Sequence, residues 1–148
     1  MGLNKAVDFS TAKLLKEKGF DVPVHTFRLE GKYSDFVYEG FEDDYWGDNK
    51  VVNWNQDVIG IKPFKGFVSA PTIAEVVMWL YEGHGVWITS YPIGVGYYCY
   101  QIYSIKNRKN SKDNIVQNEK DSIQYDELFN SPTEAYEKAI EYTLKNLI

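Results

Sequence analysis

The chain is poor in the residues that build disulfides and thiolate metal sites. Its 148 residues include one cysteine, Cys99, and two histidines, His25 and His84. A single cysteine cannot close a disulfide within the chain, and a structural zinc site needs several thiolate or imidazole ligands. The sequence therefore predicts a protein of a reducing compartment that carries no metal site and no cofactor.

The chain also lacks a clean apolar run of membrane-spanning kind. Residues 86–105 carry no formal charge and have the length of a transmembrane helix. Pro92, Gly94 and Gly96 interrupt this stretch, and several tyrosines make it more polar. The first residues contain no apolar segment of signal-peptide length. We expect a cytoplasmic protein that has no membrane partner.

The remaining composition is that of a folded globular protein with one excess. Hydrophobic residues make up 44% and charged residues 25% of the chain, close to the average of soluble domains. The length suits a single domain over residues 1–148. Aromatic residues reach 16%, with 12 tyrosines, 8 phenylalanines and 4 tryptophans. A core of this size uses some of these rings, and exposed ones are typical of interfaces.

The net charge of -5 is concentrated in one part of the chain. Residues 30–57 hold eight acidic residues against Lys32 and Lys50, which gives this segment a net charge of -6. The rest of the chain is therefore close to neutral. A local acidic field repels nucleic acid and attracts basic partners or cations.

Helix-start chemistry and apolar periodicity predict three helices. Asp8 or Ser10 caps the first helix, and capping boxes begin the second at Thr72 and the third at Ser131. The helices are expected near residues 10–18, 72–82 and 132–147.

Two hairpins are predicted between these helices. The first joins residues 22–29 to 33–41, and the second joins 86–91 to 96–105. Residues 57–62 are expected to return to the sheet as a further strand. Hairpins alternating with helices indicate an α+β fold, in which a mainly antiparallel sheet carries three helices, mostly on one face.

Several segments resemble a known group of proteins. They are AKLLKEKGF near the N-terminus, SAPTIAEVVMWLYEGHGVWI, YYCYQIY and FNSPTEAYEKAIEYTLKNLI. In these patches the chain resembles small uncharacterised proteins encoded by gut Bacteroidales and by their phages or mobile elements. The resemblance implies a common fold, and it brings no activity, cofactor or catalytic residue with it.

Catalytic patterns in the chain are weak. Cys99 and His84 would formally allow a nucleophilic pair, but a mid-strand cysteine and a histidine at a helix end favour structural roles. The glycines at 83–85 and 94–96 lack the Lys-Ser/Thr of a phosphate loop. A small hydrolase or transferase that uses carboxylates remains the alternative. Its acids would be drawn from Glu75, Glu82, Asp57 and Asp126.

A second alternative is binding of single-stranded nucleic acid. A basic cluster directly follows the tyrosine-rich strand, and stackable aromatics beside basic side chains are what such sites use. The overall acidity of the chain argues against nucleic acid as a partner. The cluster, within residues 106–112, comprises Lys106, Arg108, Lys109 and Lys112.

The interpretation that the sequence favours is a non-enzymatic accessory module, encoded by a phage or mobile element, that binds a protein partner. Its site is predicted in residues 30–57, called the acidic segment below. The aromatic residues there follow no apolar period that would place them in a core. Trp54 is expected to be buried, and Trp46 to be at least half exposed. Weak homodimerisation is also expected, because a sheet edge must be covered or paired. The predicted partner-binding residues are Asp43, Asp44, Tyr45, Trp46 and Asp48.

Overall fold

The computed structural model describes residues 2–32, 34–39, 53–55, 67–104 and 128–148. Contacts between residues divide the chain into a first unit, Lys5–Thr72, and a second unit, Met1–Asn4 with Ile73–Ile148. The predicted α+β class, with antiparallel hairpins and three helices, is confirmed, but the described strands form two sheets where one was expected. A single domain over 1–148 stays a prediction. In chain order the elements are a short 3₁₀ helix Gly2–Asn4, α1 Phe9–Glu17, β1 Thr26–Leu29, β2 Tyr38–Glu39, β3 Phe67–Ser69, α2 Ile73–His84, β4 Val86–Pro92, β5 Tyr98–Ser104 and α3 Pro132–Asn146.

The first unit contains an antiparallel sheet in the order β2-β1-β3. The predicted first hairpin is present as β1 and β2, in which Phe27 lies opposite Tyr38. On the other side of β1, Phe27 lies opposite Ser69 and Leu29 opposite Phe67. Strand β3 was not predicted, and the predicted strand at 57–62 lies outside the described residues. The three strands are four, two and three residues long, so the ladder of backbone pairs is short.

The register gives this sheet two distinct faces. Residues directly opposite each other share a face, so Phe27, Tyr38 and Phe67 lie on one side. Arg28 and Val68 lie on the other side and are both buried. Arg28 bonds to the residue before Asp8, the cap of the helix Phe9–Glu17.

Helix α1 begins where its cap residue predicts. The Asp8 carboxylate accepts a hydrogen bond from the Thr11 backbone N–H at 2.7 Å, which satisfies one of the unpaired donors of the first turn. Gly19 follows the helix with a φ of 83°, a left-handed conformation that glycine adopts without strain. Ala12 and Leu15 are fully buried and anchor the helix in the first unit.

The second unit contains the longer hairpin. Strands β4 and β5 pair from Val86 opposite Ser104 to Pro92 opposite Tyr98. The turn is closed by a hydrogen bond from the Ile93 N–H to the Tyr97 carbonyl at 2.8 Å. Glycines 94 and 96 adopt φ values of 73° and 81° within it. The second hairpin predicted from the sequence is thereby confirmed.

Helices α2 and α3 pack on this hairpin and on each other. The Ser131 hydroxyl accepts from the Glu134 N–H at 3.2 Å, and the Glu134 carboxylate accepts from the Asn130 N–H at 3.1 Å, so the predicted helix start is confirmed. None of the helices in the described part of the chain combines the length and apolarity needed to cross a bilayer. The fully buried residues of this core include Ile73, Val76, Leu80, Ala135, Ala139, Ile140 and Leu144.

Candidate functional site

The residues predicted to contact a partner lie outside the described part of the chain. They are Asp43, Asp44, Tyr45, Trp46 and Asp48. The structure does describe the positions where the chain enters and leaves this segment. Strand β2 precedes these five residues in the chain, and residues 53–55 follow them.

Both ends of the segment meet on one buried ring. The Phe27 ring stacks on Tyr38 of β2 with centroids 5.5 Å apart. The ring of Trp54, at the far end, lies 4.4 Å from Phe27. Phe67 of β3 completes the group, with its centroid 5.0 Å from Phe27 and 5.9 Å from Trp54. These four rings, Phe27, Tyr38, Trp54 and Phe67, are called the aromatic platform below.

Hydrogen bonds fix the Trp54 end of the platform. The indole Nε1–H of Trp54 donates to the Val24 carbonyl at 2.9 Å. Next to it, the Asn55 side-chain amide donates to the Phe20 carbonyl at 2.9 Å, and its oxygen accepts from the Ser69 N–H at 2.9 Å. One asparagine therefore links three parts of the first unit, and the orientation of the neighbouring indole is set before any partner arrives.

The platform is only partly enclosed. Phe27 is buried, whereas Tyr38, Trp54 and Phe67 are half-buried, so the outer rings shield the inner one and keep some surface in solvent. Trp54 is thus less buried than expected, because its indole lies on the sheet rather than within the core. Just before Tyr38, the side chains of Phe36 and Val37 are 59% and 42% exposed. Exposed apolar residues beside half-buried rings are typical of contact surfaces.

A buried arginine holds the chain that leads into β2. Arg28 is 8% exposed, and its Nε donates to the Val7 carbonyl at 2.8 Å. Its Nη1 donates to the carbonyls of Ser34 and Asp35 at 3.1 and 2.9 Å. The planar guanidinium presents Nε and Nη1 in a fixed geometry, so one side chain bonds to Val7 and to the Ser34 and Asp35 carbonyls at once. Arg28 therefore fixes the backbone three residues before Tyr38 enters the platform.

Asp8 adds a charged group near this arginine. Burial raises the pKa of its carboxyl, but hydrogen bonds from Thr11 and Ser10 and the positive charge of Arg28 outweigh burial and lower the pKa below its ordinary value. The shift is explained by helix capping. It therefore points to a structural carboxylate and needs no catalytic explanation.

The residues of the carboxylate alternative gain no support as a group. Glu75 and Glu82 both belong to α2, whereas Asp57 and Asp126 lie outside the described residues. Within the described ranges, no three acidic, histidine or cysteine side chains come close enough to hold a metal ion. The Glu141 pKa is lowered by a hydrogen bond from Lys145, which is an ordinary pair on the outer face of α3.

Cys99 and His84 have the structural surroundings that the sequence favours. Cys99 is 2% exposed and is the second residue of β5. The His84 ring lies at the end of α2 and makes an edge contact with Trp79 at 4.5 Å. A buried thiol and an imidazole packed on an indole are typical of core residues.

The turn of the second hairpin carries further exposed apolar residues. Val95 at its turn is 98% exposed, and Ile93 and Tyr97 beside it are partly exposed. The basic cluster proposed to bind nucleic acid, Lys106 to Lys112, lies outside the described residues. The second alternative, binding of single-stranded nucleic acid, therefore stays a prediction.

Sequence reasoning found the acidic segment and missed the groups that hold its ends. Arg28 and Asn55 are single polar residues with no motif around them, and their partners are backbone carbonyls far away in the chain. The only available signal was the occurrence of an arginine within the apolar run 22–29. A charged residue in a strand that is otherwise apolar indicates a buried partner.

Comparison with known protein families, with curated proteins and with solved structures finds no match for this chain. The resemblance to the gut Bacteroidales group therefore stays a prediction. Any functional conclusion rests on the geometry and the charge of the chain itself.

Proposed function

We propose that the protein is a non-enzymatic accessory module that binds a protein partner through its acidic, aromatic segment and the platform beside it. The observation that carries the proposal is the meeting of both segment ends on Phe27, at distances of 5.5 and 4.4 Å. A segment held at both ends loses less conformational entropy on binding than a free one. The platform also offers half-buried Tyr and Trp rings, the residue types that dominate interface energies.

The charge of the segment supports a contact role over a catalytic one. Between residues 33 and 49 there are six acidic residues and no basic one. Acidic residues at the rim of an interface steer association and select partners of opposite charge. Their mutual repulsion is a cost to the free protein that a basic partner would relieve.

The test is capture of partners from the native host by wild-type and variant proteins, with the bound proteins identified by mass spectrometry. Trp46→Ala and the pair Asp43→Lys with Asp44→Lys should each remove the same specific proteins while leaving the melting temperature unchanged. Replacing a contact residue weakens binding of the partner, whereas a substitution on the surface changes the free energy of unfolding by only about 0.5 kcal/mol.

Val95→Ser is the matched control, since Val95 is the most exposed apolar residue described in the second unit. It should leave the captured set unchanged. If the segment variants capture the same proteins as wild type, or if Val95→Ser alone removes them, the segment is not the binding site.

The proposal includes a cytoplasmic location and an accessory role for a phage or mobile element. The single cysteine supports a reducing compartment. Weak homodimerisation is part of the same proposal, and light scattering over a wide range of concentrations tests it. A constant monomer mass throughout would exclude it.

A further inference from the structure

We infer that the aromatic platform recognises a basic polypeptide segment, rich in arginine or lysine, on the partner protein. This inference rests on the proposed function and adds the chemistry of the partner. It is carried by three features of the first unit: the fixed rings, the exposed apolar residues next to them and the charge of the chain on both sides.

The rings are arranged so that a cation can approach them. Trp54 and Tyr38 both contact Phe27, and both keep part of their surface in solvent. The Trp54 N–H is already used by the Val24 carbonyl, so what the indole offers a partner is its π surface. The face of an indole or phenol ring attracts ammonium and guanidinium groups within about 6 Å of its centroid.

The apolar residues suit the stems of basic side chains. Phe36 and Val37, 59% and 42% exposed, immediately precede Tyr38 in the chain. Arginine and lysine carry three or four methylene groups that pack on apolar surface while the charged end stays near water. A partner rich in these residues would cover Phe36 and Val37 and place its charges over the rings.

The surrounding charge selects a basic partner over a neutral apolar one. Asp35 and Glu39 flank Tyr38 within three residues, and no basic residue occurs from 33 to 49. Lys16 reaches the platform backbone from α1, where its ammonium donates to the Phe67 carbonyl at 3.2 Å. In the sequence from 33 to 49 acidic residues alone are charged, which favours a cationic over a neutral partner, and such attraction acts over a Debye length of about 8 Å.

The probes are a short fluorescent oligoarginine peptide, a neutral peptide of the same length rich in leucine and serine, and a labelled single-stranded oligonucleotide. Fluorescence anisotropy with the full-length protein measures each Kd. We expect oligoarginine to bind and the other two not to bind, with affinity falling as salt is raised. Equal binding of the neutral peptide, or binding of the oligonucleotide alone, would overturn the inference.

Two sets of variants locate the binding. Tyr38→Leu keeps an apolar side chain but removes the ring, so oligoarginine should bind about two- to fivefold more weakly, while Tyr38→Phe should bind as wild type does. The pair Asp35→Lys with Glu39→Lys should weaken binding about tenfold at low salt. The matched pair Glu17→Lys with Glu82→Lys makes the same change in net charge on exposed residues of α1 and α2 and should have a much smaller effect.

Equal weakening by the two charge pairs would mean that only overall charge matters, and it would overturn the assignment to the platform. If Tyr38→Leu lowers the melting temperature, the charge pairs still decide the location. If oligoarginine fails to bind wild type while Trp46→Ala still removes captured partners, the partner chemistry is wrong and the proposed function stands. If oligoarginine binds wild type while Trp46→Ala leaves the captured proteins unchanged, the platform binds cations but is not shown to bind the proposed partner.

Discussion

The two sheets of this protein are held together in different ways. The sheet of the first unit has strands of four, two and three residues. Its geometry depends on side chains that reach backbone groups: Arg28, Trp54 and Asn55. The hairpin of the second unit has two seven-residue strands that pair along their whole length.

The difference shows what replaces a long backbone ladder when strands are short. In the hairpin of the second unit, neighbouring backbone groups satisfy one another, and apolar residues such as Ile88 complete the core. In the first unit, carbonyls at Val7, Ser34 and Asp35 instead depend on one guanidinium. We therefore expect the stability of the first unit to depend most on its polar side chains. The stability of the second unit should depend most on the apolar volume of its core.

The largest effect is expected in the core of the second unit. Ile88 is 1% exposed and lies opposite Ile102, so Ile88→Ala should lower the free energy of unfolding by about 3 to 4 kcal/mol through lost burial and a residual cavity. Urea denaturation followed by circular dichroism measures the change. Ile88→Val, which removes one methyl group, should cost only about 1 kcal/mol. Equal losses from the two substitutions would contradict a cavity origin.

Replacing Arg28 tests whether the first unit depends on side chains that donate to backbone carbonyls. Arg28→Met should lower the free energy of unfolding by about 2 to 3 kcal/mol, because three backbone acceptors lose a charged donor. Amide hydrogen exchange should quicken in Tyr38 and Glu39, which follow the carbonyls that Arg28 holds. Arg28→Lys keeps the charge without the planar fork and should rescue only part of the stability.

A stable Arg28→Met protein with unchanged exchange would break the comparison. Buried ionic groups can be replaced by apolar ones without loss when packing compensates. In that case the short strands of the first unit would not need side-chain donors.

A smaller effect is expected at the cap of α1. Asp8→Ala should cost about 1 kcal/mol at neutral pH, because the Thr11 N–H loses its acceptor. Since the folded-state pKa of Asp8 is lowered, the charged form stabilises the fold above the unfolded pKa of about 3.9. That contribution is lost as the pH falls through the lower, folded-state pKa. Unfolding curves of wild type and Asp8→Ala should therefore converge in acid, and a gap that stayed constant with pH would contradict the assignment.

The smallest effect is expected at the turn of the second hairpin. Val95→Ser should change the free energy of unfolding by less than about 0.5 kcal/mol, because the side chain is 98% exposed. Gly96→Ala at the next position should cost about 1 kcal/mol, since Gly96 has a φ of 81° that alanine adopts only with strain. Differential scanning calorimetry distinguishes the two. A large loss from Val95→Ser would mean that this valine is covered in solution.

Prediction from sequence succeeded where the signal lies in neighbouring residues. Helices α1 and α3 were located by Asp8 and Ser131, whose partners are three residues away. The second hairpin follows from alternating side chains around a glycine-rich turn. Strand β3 escaped prediction because its three residues have no period and are recognisable only by their pairing with β1. The candidate site was located by its acidity and by aromatic residues that no apolar period explains, whereas the rings of the platform come from four separate parts of the first unit.

The amino-acid sequence by itself determined the α+β class, the starts of the capped helices and the concentration of negative charge in residues 30–57. Each of these depends on residue types or on neighbours within a few positions, where the chain leaves little conformational choice. Only the tertiary structure decided that Tyr38 and Trp54 meet on Phe27, and that Arg28 and Asn55 fix the backbone beside them. Those contacts join residues far apart in the chain, and many different chain paths would satisfy the same local preferences. Burial of the rings and pairing of otherwise unsatisfied carbonyls select one path among them.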